Sequence, residues 1–122
     1  MKPQQPDVAY CIKNADFVNG LLEERGWQKG DWYWQPEAPE EVYLAQLPEF
    51  LIGEDDLVWI PTEGDVLGML DERNTMPALE SNVQKDERDL FWIARAGRSK
   101  SGWQKTPLIA LLELLRAVEG TG

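Results

Sequence analysis

The sequence predicts an α+β fold, a single domain in which a mainly antiparallel sheet packs against helices. Three observations carry that expectation. Apolar residues recur at three- and four-residue steps near the start, in the middle and at the end of the chain. Short aromatic and β-branched runs, bounded by turn residues, lie between those stretches. No linker-like segment divides the 122 residues, a length that suits one core.

Each element follows in order. Val8, Cys11, Ile12, Ala15, Val18 and Leu22 mark a helical face from about Asp7 to Arg25, closed by Gly26. An alternative is a short strand at Val8 to Ile12, followed by a helix capped at Asn14. Asp31-Trp-Tyr-Trp-Gln and Glu41-Val-Tyr-Leu-Ala flank the Pro-containing turn PEAPE and read as an antiparallel hairpin with Trp32 and Trp34 on one face. Leu57-Val-Trp-Ile is a short strand that runs into Pro61. Thr62 then caps a helix with apolar positions Val66, Leu67, Met69 and Leu70, ended by Arg73-Asn74. A weak strand near Ala78 to Gln84, the polar turn KDERD and a strong strand at Leu90 to Ala94 form a second hairpin, followed by the loop GRSKSG. Thr106 and Pro107 open the last helix, which carries Leu108, Leu111, Leu112, Leu115 and Val118 on one face with Gly120 past its end. The expected core includes Val18, Leu22, Trp34, Leu44, Trp59, Leu70, Trp92, Leu111 and Leu115.

GLLEER at Gly20 to Arg25 returns as GMLDER at Gly68 to Arg73, an offset of 48 residues. Without gaps, the same offset places Asn14 on Thr62 and Val42-Tyr43-Leu44 on Leu90-Phe91-Trp92. Residues 14–47 and 62–95 thus read as two helix-hairpin units, either a pseudo-repeat or a chance likeness of amphipathic helix ends.

Composition removes much familiar chemistry. There is no histidine and a single cysteine, Cys11, so zinc sites of the Cys/His kind, His-dependent triads and internal disulfides are excluded. Cys11 lies in an apolar stretch and is expected to be a buried, inert thiol. No apolar run reaches membrane-span length, and MKPQQPD lacks the apolar region of a secretion signal, so a cytoplasmic protein without membrane contact is expected.

The net charge is -10, distributed very unevenly. Between Gly30 and Glu72 stand twelve acids and no lysine or arginine, which leaves +2 for the rest of the chain. Such a segment either solubilises the molecule or attracts a basic partner, and it repels duplex DNA. Glu54, Asp55, Asp56, Glu63 and Asp65 are its candidate protein-interaction residues. The opposite sign gathers at Arg95, Arg98, Lys100 and Lys105, which with Trp103 form a candidate anion-binding loop. Trp103 is expected either to stack there on a base or to fold beneath the last helix.

No catalytic, cofactor or metal set is legible. GRSKSG followed by Lys105-Thr106 sits where a phosphate-cradling loop would, but Trp103-Gln104 separates the glycine from the lysine that must follow it directly. Glu54-Asp55-Asp56 lacks the alternating ligands and central glycine of a calcium loop, and neither it nor Asp86-Glu87-Arg88-Asp89 is followed by the Glu-x-Lys arrangement of a metal-dependent nuclease. The expectation is a non-catalytic binding or regulatory module that uses no cofactor. The alternatives are a carboxylate-dependent enzyme and an anion or nucleic-acid binder acting through residues 95–105.

GWQKGDWYW, the hairpin with VYL, VWIPTEGDVLGMLDER and the closing TPLIALLELLRAV together resemble a group of small acidic proteins associated with phages and prophages. The resemblance runs from Gly26 to the C-terminus and rests on layout and short apolar strings. It implies an accessory protein of a phage or mobile element, not a metabolic enzyme, and assigns no functional residue. The partner that the acidic run itself implies is a basic protein surface, such as that of a DNA-binding protein.

Overall fold

The computed structural model describes residues 2–51, 56–83 and 90–120. The chain is α+β, with two three-stranded antiparallel sheets in place of the one expected. Two compact units divide it between Pro61 and Thr62.

The first unit opens with α1 (Gln5–Lys13) and α2 (Ala15–Arg25), so the expected continuous helix is broken at Asn14. Val8 to Ile12 is helical, which removes the alternative of a strand there. Asn14 makes no side-chain cap for α2; its backbone N–H and its Nδ2 both donate to the Tyr10 carbonyl at 2.9 Å, closing α1 instead. A short amide that competes for backbone carbonyls interrupts a helix in this way. β1 (Trp32–Trp34) and β2 (Val42–Leu44) form the expected hairpin, with Tyr33 opposite Tyr43. A single 3-10 turn, Pro48–Phe50, follows. β3 (Val58–Ile60) then pairs with the other side of β1, giving the order β2-β1-β3. Both helices pack on β3, which is buried along its whole length.

The second unit starts with α3 (Glu63–Glu72), opened by a complete capping box: Asp65 N–H donates to Thr62 Oγ1 at 3.1 Å, and Thr62 N–H donates to the Asp65 carboxylate at 2.9 Å. At its other end Asn74 takes φ 54°, and Thr75 N–H reaches back to the Leu70 carbonyl at 2.9 Å, the six-to-one bond of a Schellman stop. β4 (Ala78–Val83), β5 (Leu90–Ala96) and β6 (Ser99–Lys100) form the second sheet in that order. The turn KDERD lies outside the described residues. GRSKSG is no free loop: Arg95 pairs with Lys100 and Ala96 with Ser99 around a tight Gly97-Arg98 turn. α4 (Pro107–Gly120) is capped by Thr106, whose Oγ1 accepts from Ile109 N–H at 3.1 Å; the helix includes Gly120. It packs against α3 as well as β5 and β6, which is why Leu108, Ile109, Ala110, Leu111, Leu112, Leu114 and Leu115 are all buried, a broader band than one stripe.

Of the expected core, Val18, Leu22, Trp59, Leu70, Leu111 and Leu115 are buried. Leu44 is 41% exposed because β2 is an outer strand, and Trp34 and Trp92 are only half-buried. No helix among the described residues is long and apolar enough to cross a membrane.

Candidate functional site

The acidic middle of the chain divides between the two units. Met1–Pro61 holds twelve acids against four lysines and arginines, net -8, whereas Thr62–Gly122 holds ten against eight, net -2. Within the first unit Asp31 is neutralised internally. Asp31 is buried and accepts from both Arg25 Nη atoms, at 2.8 and 2.9 Å, and from Gln28 N–H at 2.7 Å. The Arg25 guanidinium in turn lies 5.1 Å from the centroid of the buried Trp59 ring. Asp31 is therefore part of the scaffold.

The remaining described acids of that stretch are of another kind. Glu37, Glu40 and Glu41 occupy the β1–β2 turn, Glu49 the 3-10 turn, and Asp56 the approach to β3; all five are exposed. None of them has an ion-pair partner among the described residues. Trp34 fixes the turn from inside, its indole N–H donating to the Pro39 carbonyl at 3.0 Å. A small cleft beside it, about 50 Å³, is lined by Trp34, Pro39, Glu40, Glu41 and Val42 of the hairpin and by Lys2, Pro3, Gln5 and Val8 of the N-terminal segment and α1. A second cleft of about 210 Å³, largely apolar, lies among Tyr33, Leu44, Ala45, Gln46, Leu47 and Leu51.

Glu54 and Asp55 lie outside the described residues. Asp56 belongs to the first unit, and Glu63 and Asp65 to the second. Glu63 is exposed in the first turn of α3, while the Asp65 carboxylate is held by the Thr62 backbone and serves as a cap. The turn acids Glu37, Glu40 and Glu41 belong to the acidic run, and composition alone does not set them apart within it. Their signal was position, since they crowd the PEAPE turn that joins two aromatic strands.

The basic stretch is an ordered hairpin. Arg95 and Lys100 stand directly opposite each other, an unfavourable like-charge pairing that a 3.8 Å contact from Glu80 to Arg95 partly offsets. Beyond Lys100 the strand gains one residue before Gln104 pairs with Trp92, and Gly102, at φ 74°, supplies the backbone conformation that this bulge requires. Within it Ser101 Oγ accepts from Ala94 N–H at 2.9 Å, so the hydroxyl stands in for a ladder carbonyl. Arg98 and Lys105 are exposed, as is Trp103, which keeps 39% of its surface open instead of folding beneath α4.

Cys11 is fully buried, and burial, with the Asp7 carboxylate adding to it, pushes its thiol up to about 12. It is protonated at neutral pH and no nucleophile there. Among the described residues no three Cys, Asp or Glu side chains gather as a metal site. No protein-family model matches the chain, and comparison with curated proteins and with solved structures found no similar protein.

Proposed function

We propose that this chain is a non-catalytic accessory protein, of the phage or mobile-element type its short strings resemble, that binds a basic partner protein through the acidic face of its first unit. The observation that supports this reading is the group Glu37, Glu40, Glu41, Glu49 and Asp56, exposed and unmatched by any described cation. A run of one sign without counter-charges sets up a field that acts on an approaching partner before contact. Here residues 30–61 hold eight acids and no lysine or arginine, which speeds encounter with a basic surface and opposes approach to nucleic acid.

The test is affinity capture with the full chain at low and high salt, comparing wild type with Glu37→Gln/Glu40→Gln/Glu41→Gln and with Arg98→Gln/Lys100→Gln. The reading expects a basic protein to be captured by wild type and by the hairpin variant, lost by the acidic-turn variant, and weakened by salt. Capture lost only in the hairpin variant would overturn it.

A further inference from the structure

The sheet of the first unit has two outer edges, and they are finished differently. Along β3 the side-chain amide of Asn19 takes the place of a neighbouring strand: its Oδ1 accepts from Trp59 N–H at 3.0 Å and its Nδ2 donates to the Leu57 carbonyl at 2.9 Å. Along β2 nothing comparable is found among the described residues, and β1 is its one strand neighbour there. Ala45 N–H donates inward to the Asp31 carbonyl at 2.7 Å. Antiparallel alternation then turns Tyr43 inward as well and aims the N–H and C=O of Val42 and Leu44 outward. Open edges of this kind are templates for another strand.

What flanks this edge limits what can occupy it. At the Val42 end is the cleft with the Trp34 ring and the Glu40 and Glu41 carboxylates, about 50 Å³. That is room for an ammonium group, since a water molecule's share of the liquid is about 30 Å³. Lys2 lines the same cleft without forming an ion pair to either carboxylate. At the other end lies the cleft of about 210 Å³, lined by Tyr33, Leu44, Ala45, Gln46, Leu47 and Leu51. Val42 shares a face with its partner Trp34, whereas Ala45, two residues beyond Tyr43, shares the opposite face with Tyr33.

The geometry points to strand addition at β2 by an extended segment of the partner protein. A lysine of that segment lies beside Val42, its stem against Trp34 and its ammonium between Glu40 and Glu41. An apolar side chain three residues along enters the cleft at Ala45, on the opposite face. The inference rests on the reading that the partner is basic, and adds its conformation and its side-chain spacing. A second copy of this chain is the poorer occupant: it carries -10, and Lys100, in its most basic stretch, is already paired in the β5–β6 hairpin.

The test titrates the full chain with short peptides in a Thr/Val background that carry Lys-x-x-Leu, Lys-x-Leu, or Thr in place of the lysine, following affinity and amide exchange. Lys-x-x-Leu is expected to bind at least about tenfold tighter than Lys-x-Leu, because a one-residue change sends one side chain to the wrong face. Binding should protect the Val42 and Leu44 amides, and Glu41→Gln should weaken it several-fold. Equal binding of the two lysine spacings, with Val42 and Leu44 unprotected, would overturn strand addition and leave the acidic reading standing. Failure of both lysine peptides to bind would overturn strand addition; loss of the acidic reading is read separately, from the capture experiment. Protection of those amides on concentrating the protein alone would make the occupant a second copy and overturn the proposal.

Discussion

Arg25 and Asp31 meet in a two-point pair, Nη1 to Oδ2 at 2.9 Å and Nη2 to Oδ1 at 2.8 Å, over the face of Trp59. The pair joins the end of α2 to the start of β1, and Asp31 is buried. Removing one partner strands the other charge, so Asp31→Asn should cost about 3 kcal/mol. Arg25→Lys keeps the charge but loses the fork and should cost less. Urea unfolding at an unchanged m-value measures both; unaltered midpoints would show that the pair contributes nothing.

Asn19 closes the outer edge of β3, which makes its amide structural. Asn19→Ala leaves Trp59 N–H and the Leu57 carbonyl unpaired and should cost about 2 kcal/mol. Asn19→Asp keeps the acceptor and loses the donor, so it should not restore full stability. The check is amide exchange at Trp59, which should accelerate in both variants. Exchange as slow as in wild type would place the protection elsewhere.

Cys11 gives the protein a dependence on alkaline pH. Its thiol is raised from 9.0 to about 12 in the folded state, so the folded chain holds the proton after the unfolded chain has lost it. Its contribution is fully present below pH 9 and is lost as pH rises toward 12, with a slope of at most about 1.4 kcal/mol per pH unit. Cys11→Ala should show a shallower decline over that window than wild type. Parallel curves, or rapid alkylation of native Cys11 at neutral pH, would contradict the burial argument.

The helix caps provide a graded test of the local structure. Thr62→Ala removes the acceptor for Asp65 N–H, and Thr106→Ala the acceptor for Ile109 N–H. Each should cost about 1 kcal/mol, with Thr106 the larger because it is buried. Asn14→Ala removes no cap from α2. Thermal melts that ranked Asn14→Ala above both threonine variants would reverse this assignment.

Features that residues a few positions apart decide were legible in the sequence. Thr62, Thr106 with Pro107, Asn74 and the two hairpins all follow from cap and turn chemistry written in neighbouring side chains. What depends on distant partners was not. Pairing of β3 with β1 joins residues far apart in sequence, and Asn19 reads as a weak helix residue until Leu57 and Trp59 come beside it. Leu44 alternates like a core residue, yet its strand is an edge, and Lys100 reads as a loop residue because the bulge at Gly102 carries no hydrophobic period. The acidic run was visible as composition, but separating Asp31 and Asp65 from the free carboxylates required their hydrogen bonds.

The acidic face is tested most directly by retention of the full chain on two columns at low salt, one bearing a lysine-rich peptide and the other duplex DNA. At 0.01 M salt the Debye length is about 30 Å, so the charge of each surface is felt at long range. Wild type should be retained on the peptide column and released by salt, Glu37→Gln/Glu40→Gln/Glu41→Gln should elute markedly earlier, and neither should be held by DNA. Retention on duplex DNA that disappears in Arg98→Gln/Lys100→Gln would contradict the account and move the site to the β5–β6 hairpin.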